Sequence, residues 1–138
     1  MKRSNNCSCN DKNNIIRDYG QRPLVVNIEM AAKYNQSFRT AFWTGNNAQI
    51  TLMSIPCGEE IGAEMHGDTD QILVITEGCA TVKIGCSPHC LNDSHTVRAG
   101  YAIAIPAGVW HNLINTGRSP LKLCPRDCRR DRSLAAWS

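Results

Sequence analysis

The chain has 138 residues, 42% of them hydrophobic and 20% charged, with a formal net charge of +3. That is one domain's worth of chain with a single core, and no apolar stretch approaches the roughly 20 residues of a membrane span. The small basic excess sits largely in five arginines between positions 118 and 132, not along a groove interleaved with stacking aromatics, so no nucleic-acid partner is expected. The start of the chain is polar and has no apolar signal-peptide core, so the expected location is the cytoplasm, with no membrane partner.

Residues 1–22 hold five asparagines and little that is apolar, and they read as a disordered arm. Order is expected from Pro23, with a short strand at residues 24–28 and a helical turn within residues 28–35. Residues 39–44 and 48–55 read as strands joined at Gly45-Asn46-Asn47, a hairpin signal whose residues tolerate positive φ. Residues 61–66 and 70–77 read as two more strands. On the first, Glu64 and His66 are two apart and share a face. On the second, Gln71, Leu73 and Ile75 share a face. Residues 79–85 continue as a strand, residues 86–94 form a polar loop, and Thr96-Val97-Arg98 leads to residues 100–115.

That last stretch reads strand, turn, strand. Tyr101, Ile103 and Ile105 alternate with Ala102 and Ala104, which puts bulk on one face. Pro106-x-Gly108 reverses the chain. Val109, His111, Leu113 and Asn115 then share one parity, which holds His111 among aliphatic residues, where a histidine is either paired or bound to a metal. Leu121-Lys122-Leu123 is the last strand expected. Eight to ten short strands without an amphipathic helix of useful length mean an all-β barrel or sandwich.

The eight cysteines do not fix the compartment, because disulfide frameworks belong to exported domains. Cys86, His89 and Cys90 lack zinc-knuckle spacing, and they read as loop residues with a structural metal as the alternative. Cys57 and Cys79 read as small residues in or near the core.

Gly58, five residues, Glu64-x-His66, four residues, Gln71, six residues, Gly78 resembles the first motif of the cupin superfamily, G-x5-H-x-H-x3,4-E-x6-G. Gly100, five residues, Pro106-x-Gly108, two residues, His111, three residues, Asn115 is similar to the second, G-x5-P-x-G-x2-H-x3-N, at every fixed position. The surrounding sequence resembles small single-domain bacterial cupins of the mannose-6-phosphate isomerase-like kind.

The resemblance implies a single jelly-roll barrel over residues 23–123, a homodimer, and an internal divalent metal, Fe, Mn or Zn. Its ligands, carried over by position, are Glu64, His66, Gln71 and His111. Glutamate stands where the first histidine belongs, and glutamine where the glutamate belongs. With neutral imidazoles the set still carries one negative charge, moved from position 71 to position 64, and two histidines with one carboxylate suit Fe(II) while admitting Mn or Zn. The alternative is a polar core in which Glu64 pairs with His66 or His111 and no metal binds.

Two functions follow from the resemblance. One is a metal-dependent isomerase or dioxygenase acting on a small polar, sugar-like or carboxylate-like molecule. The other is a non-catalytic binder or sensor of such a molecule. Isomerisation of a phosphosugar would want a basic phosphate clamp at the mouth, for which Lys83 and Arg98 are the candidates, though both read more simply as solvated strand-edge charges. Residues 124–138 read as an atypical basic tail. Pro125 cannot donate to a ladder, so the last strand is expected to stop early, as in a replaced or frameshifted terminus, and to leave a sheet edge uncovered.

Overall fold

The structure, a computed structural model, describes residues 16–129, so most of the N-terminal arm and the end of the basic tail lie outside the described residues. Its elements are α1 (Ile28–Tyr34), β1 (Arg39–Thr44), β2 (Ala48–Ile55), β3 (Thr69–Glu77), β4 (Cys79–Gly85), β5 (Asp93–Arg98), β6 (Ala102–Ile105), β7 (Trp110–Ile114) and β8 (Leu121–Arg129). They form a jelly roll of a five-stranded sheet, β1-β2-β8-β3-β6, facing a three-stranded one, β5-β4-β7. All pairings are antiparallel, and among the described residues no helix is long and apolar enough to cross a membrane.

Period-two alternation places the core. On β3, Gln71, Leu73 and Ile75 are buried and the residues between them are partly exposed. Leu73 and Ile75 join Met53, Ile55, Val82, Ile103, Ile105, Leu113 and Leu123 between the sheets. A second cluster, with Phe42, Leu52 and Cys124, lies on the other face of the large sheet beneath Ala31 and Ala32 of α1. The Asn27 side chain caps that helix by accepting from the Met30 N–H at 3.1 Å, one of the donors a helix start leaves unpaired.

Several expectations are corrected here. Residues 24–28 are not a strand before α1. Leu24, Val26 and Ile28 pack against the second cluster, while Val25 is fully exposed, so the alternation reports side-chain burial without a ladder partner. Order also begins before Pro23. Tyr19 meets Phe42 edge to face with ring centroids 5.5 Å apart, and the Trp43 indole donates to the Arg22 carbonyl. Tyr101 does not share the burial of Ile103 and Ile105. It is half exposed and lies beneath the Arg98 guanidinium, 5.6 Å from its ring centroid. Cys57 and Cys79 are exposed, and among the described residues Cys124 is the buried thiol.

Residues 61–66 pair with β7 only through isolated bridges. Glu60 faces Ile114 and Glu64 faces His111, so four steps on one strand match three on the other, the signature of a bulge. Gly62, at φ +91°, takes up the extra residue, and its N–H turns to the Asn112 side chain at 2.9 Å.

The largest correction concerns the end of the chain. The last strand does not stop at Leu123, and residues 124–129 are not a tail. They complete β8, which lies between β2 and β3 in the middle of the large sheet. Pro125 is tolerated because of where the ladder breaks. Pairing with β2 runs from Ala48↔Cys128 to Ile50↔Arg126 and resumes at Met53↔Leu123, so the gap falls opposite the residue that has no N–H to give. On its other side Pro125 pairs with Leu73. A chain ending at Leu123 is therefore expected to lose the cooperative urea transition followed by circular dichroism. Retention of that transition would show that the second half of β8 is dispensable.

Candidate metal centre

The site forms where the first inward residue of β3 meets the inward residues of β7. Residues 58–66 carry its third part along the free edge of β7. The Glu64 N–H donates to the His111 carbonyl at 2.9 Å, and the His111 N–H returns to the Glu64 carbonyl at 3.0 Å. Because the bulge lies before this exchange, it sets which residue of the segment faces His111. The Gly108 N–H then donates to the His66 carbonyl at 2.8 Å. Gly108 holds φ +85°, a left-handed conformation natural to glycine, and so the turn of the second motif is tied to the histidine of the first. Asn115, the last motif position, is buried, and its amide donates to the carbonyls of Ile55 and Ser119 at 2.9 Å. Its role is to fasten the loops at the far end of β7.

All four residues expected at the site come together. Glu64 Oε1 is 3.4 Å from His66 Nε2 and 3.4 Å from His111 Nε2. The ligand-type atoms of Glu64, His66 and His111 lie within 4.8 Å of one another. Ligands about 2.1 Å from a shared zinc ion in tetrahedral array stand about 3.4 Å apart, so the carboxylate already has the spacing of a shared site. Gln71 Oε1 adds a fourth donor, 2.9 Å from His111 Nε2. Among the described residues Cys86, His89 and Cys90 do not form such a cluster.

The hydrogen-bond inventory then bears on what fits. His111 is fully buried, and its Nδ1 lies 3.1 Å from the Val109 carbonyl. A carbonyl only accepts, so the ring proton belongs on Nδ1 and the Nε2 lone pair points into the site. There it meets the Gln71 amide oxygen and the Glu64 carboxylate, both acceptors. The Gln71 amide cannot simply be turned, because its NH2 donates to Asp127 Oδ1 at 2.9 Å. His66 Nε2 is also buried and has no hydrogen-bond partner. A proton on His111 Nε2 would serve His111 and its oxygens while leaving His66 Nε2 with only its 3.4 Å approach to Glu64 Oε1. A cation shared by all four donors satisfies every one of them, so the residues present fit a divalent metal.

In the metal-free arrangement with protons on the imidazoles, burial pushes the Glu64 carboxyl up, but the hydrogen bond from His111 and the charges of His66, Arg39 and His111 outweigh it and hold the group below its ordinary value. Glu64 is thus ionised at neutral pH, as a ligand or an ion-pair partner must be.

Asp127 is the residue that the sequence reading missed, lying as it does in the supposed tail. It pairs with Gln49 on one side and Gln71 on the other. A cleft of about 540 Å³ opens beside it, lined by Thr44, Gln49, His66, Thr69, Asp127 and Arg129 with the β1–β2 turn. Lys83 and Arg98 do not line it. They belong to β4 and β5 of the small sheet.

A family model for the cupin domain matches residues 51–124. The chain belongs to the cupin family. The match spans the whole constellation from Glu64 to His111, together with the strands that carry it. This cupin is 52% identical over 116 residues to protein YrkC of Bacillus subtilis, covering 84% of this chain and 62% of YrkC. It is 34% identical over 95 residues to protein L612 of Acanthamoeba polyphaga mimivirus, covering 69% of this chain and 58% of L612. The chain thus spans less than two thirds of the length of either relative. The crystal structure of BH2720 from Bacillus halodurans matches with a TM-score of 0.81 at 47% identity, over 85% of this chain and 89% of that one.

The lowered Glu64 value has a pH consequence. A carboxyl depressed in the folded state adds stability that is fully present above its unfolded value, near 4.5, and is lost as pH falls through the folded one. In chelator-treated protein, the stability gap between wild type and Glu64→Gln should therefore narrow as pH falls below about 4.5. Urea unfolding at stepped pH measures it, and a gap that widens below that pH would contradict the ionised assignment.

Proposed function

We propose that this cupin holds Fe, Mn or Zn among Glu64, His66, Gln71 and His111, and acts on or binds a small polar molecule that enters by the cleft beside His66. The observation that carries the reading is the pair of buried imidazole nitrogens, one facing only acceptors and the other without a hydrogen-bond partner, both 3.4 Å from Glu64 Oε1. A divalent ion there supplies Lewis-acid polarisation or redox chemistry to an oxygen-bearing molecule. The chain's own contribution is orientation and screening. Glu64 balances charge, the β-sheet contacts fix the imidazoles, and the cleft wall of Thr44, Gln49 and Thr69 offers neutral hydrogen-bonding groups.

Among small polar molecules the cleft favours a carboxylate. Arg129 lines it, its backbone is held by pairing with Thr69 and by an N–H bond to the Asn47 carbonyl, and it forms no ion pair with any described residue. A guanidinium so placed suits a planar, charged oxygen pair. The second reading is a metal-free binder or sensor, which the closeness of Glu64 to both histidines favours. Turnover that depends on added metal separates the enzyme from the binder. The homodimer is part of the proposal, and sedimentation equilibrium decides it.

Two measurements test this. His111→Ala should abolish the rise in melting temperature that Mn(II), Fe(II) or Zn(II) gives the wild type, and an unchanged rise in the variant would sink the metal site. In metal-loaded protein, malonate should bind and neutral malonamide should not. Arg129→Gln should weaken malonate about tenfold, the loss of one charge-assisted bond worth about 1.5 kcal/mol. Equal binding of the acid and the diamide, or no effect of the substitution, would remove the carboxylate assignment.

A further inference from the structure

We infer that Asp127 is a positioning residue that presents the oxygen of Gln71, and not its NH2, to the metal centre. The inference rests on the metal reading of the site. A glutamine amide is ambidentate, with an acceptor and a donor end of nearly the same shape, so a glutamine in a ligand position serves a cation only if something chooses between the two. Gln71 is 1% exposed, and water does not make that choice. Its Nε2 donates to Asp127 Oδ1 at 2.9 Å while its Oε1 lies 2.9 Å from His111 Nε2. Turning the amide over would set its carbonyl against the Asp127 carboxylate oxygen, two acceptors in contact, and would aim NH2 at the position the cation needs.

Asp127 can hold that choice because of where it stands. It is paired on both sides within the large sheet, to Gln49 of β2 and Gln71 of β3, and its side chain reaches Gln71 directly across the ladder. The effect is also electrostatic. Replacing a carboxylate by an amide at position 71 takes one negative charge from the ligand set. Asp127 returns that charge on the other side of the amide, and by accepting its N–H polarises the carbonyl toward the site. Gln71 and Asp127 together act as a carboxylate at one remove.

This makes the pair interchangeable in a defined way. Isothermal titration with Mn(II) is compared across wild type, Asp127→Ala, Gln71→Glu and the double variant Gln71→Glu/Asp127→Asn, with the metal-free melting temperature of each recorded alongside. Asp127→Ala should bind Mn(II) about 10- to 100-fold more weakly, the usual effect of losing such an outer partner. Gln71→Glu alone should bind no more tightly than wild type, since the new carboxylate faces Asp127. The double variant, in which the amide introduced at position 127 donates to the carboxylate introduced at position 71, should bind at least as tightly as wild type. A purely structural Asp127 would not give that recovery. Affinity within twofold in Asp127→Ala, or tightening in Gln71→Glu alone equal to that of the double variant, would overturn the positioning role. A wild-type chain that binds no Mn(II), Fe(II) or Zn(II) would instead overturn the metal reading, and the inference with it.

Discussion

Both nitrogens of the buried His111 imidazole face oxygen acceptors, so the arrangement around it depends on positive charge at Nε2, supplied by a proton or by a metal ion. Its Nδ1 is committed to the Val109 carbonyl, and its Nε2 looks at the Gln71 amide oxygen and the Glu64 carboxylate. Lone pairs converging on one point repel unless positive charge lies between them, and the burial of His111 and Gln71 strengthens both the repulsion and its relief. A metal ion there would also take up the lone pair of His66 Nε2, which is buried without a hydrogen-bond partner; a proton on His111 would leave that nitrogen with only its 3.4 Å approach to Glu64 Oε1.

The fold provides this convergence by bringing three chain segments to one place with different devices. The Pro106-x-Gly108 turn returns the chain so that β7 presents His111 inward, and it grips the His66 carbonyl. The bulge at Gly62 shifts the edge segment by one residue relative to β7, and so sets Glu64 opposite His111. β8 then enters the middle of the large sheet and supplies Asp127 beside Gln71. Each device is backbone geometry acting on a polar side chain. The aliphatic core between the sheets backs the buried members of the site, Gln71 and His111.

What was legible in the sequence was what is local. The alternation of residues 102–105, the turn after them, the inward parity of His111 and the Glu64-x-His66 spacing depend on neighbours a few positions away, and the barrel class followed from them. The rest depends on pairing at a distance. Gln71 and Asp127 are 56 residues apart, and nothing near Asp127 hints at a strand, since Pro125 and the flanking charges argue against one. Only the gap in the β2–β8 ladder makes that proline acceptable. The bulge was illegible for a similar reason, because an extra residue shows only against the partner strand. Cys57 and Cys79 were misplaced because an apolar neighbourhood in sequence does not say on which side of a turn the side chain falls.

The central claim is that Glu64, His66, Gln71 and His111 surround one cation, with the oxygen of Gln71 toward it. The most direct measurement is a crystal structure of Mn(II)-loaded protein with anomalous difference density collected above and below the manganese edge. The account predicts one strong peak within bonding distance of His66 Nε2, His111 Nε2, Glu64 and Gln71 Oε1, with the Gln71 NH2 on Asp127. Density elsewhere, or a manganese-free site in which His111 bridges Glu64 and Gln71 through a proton, would contradict it.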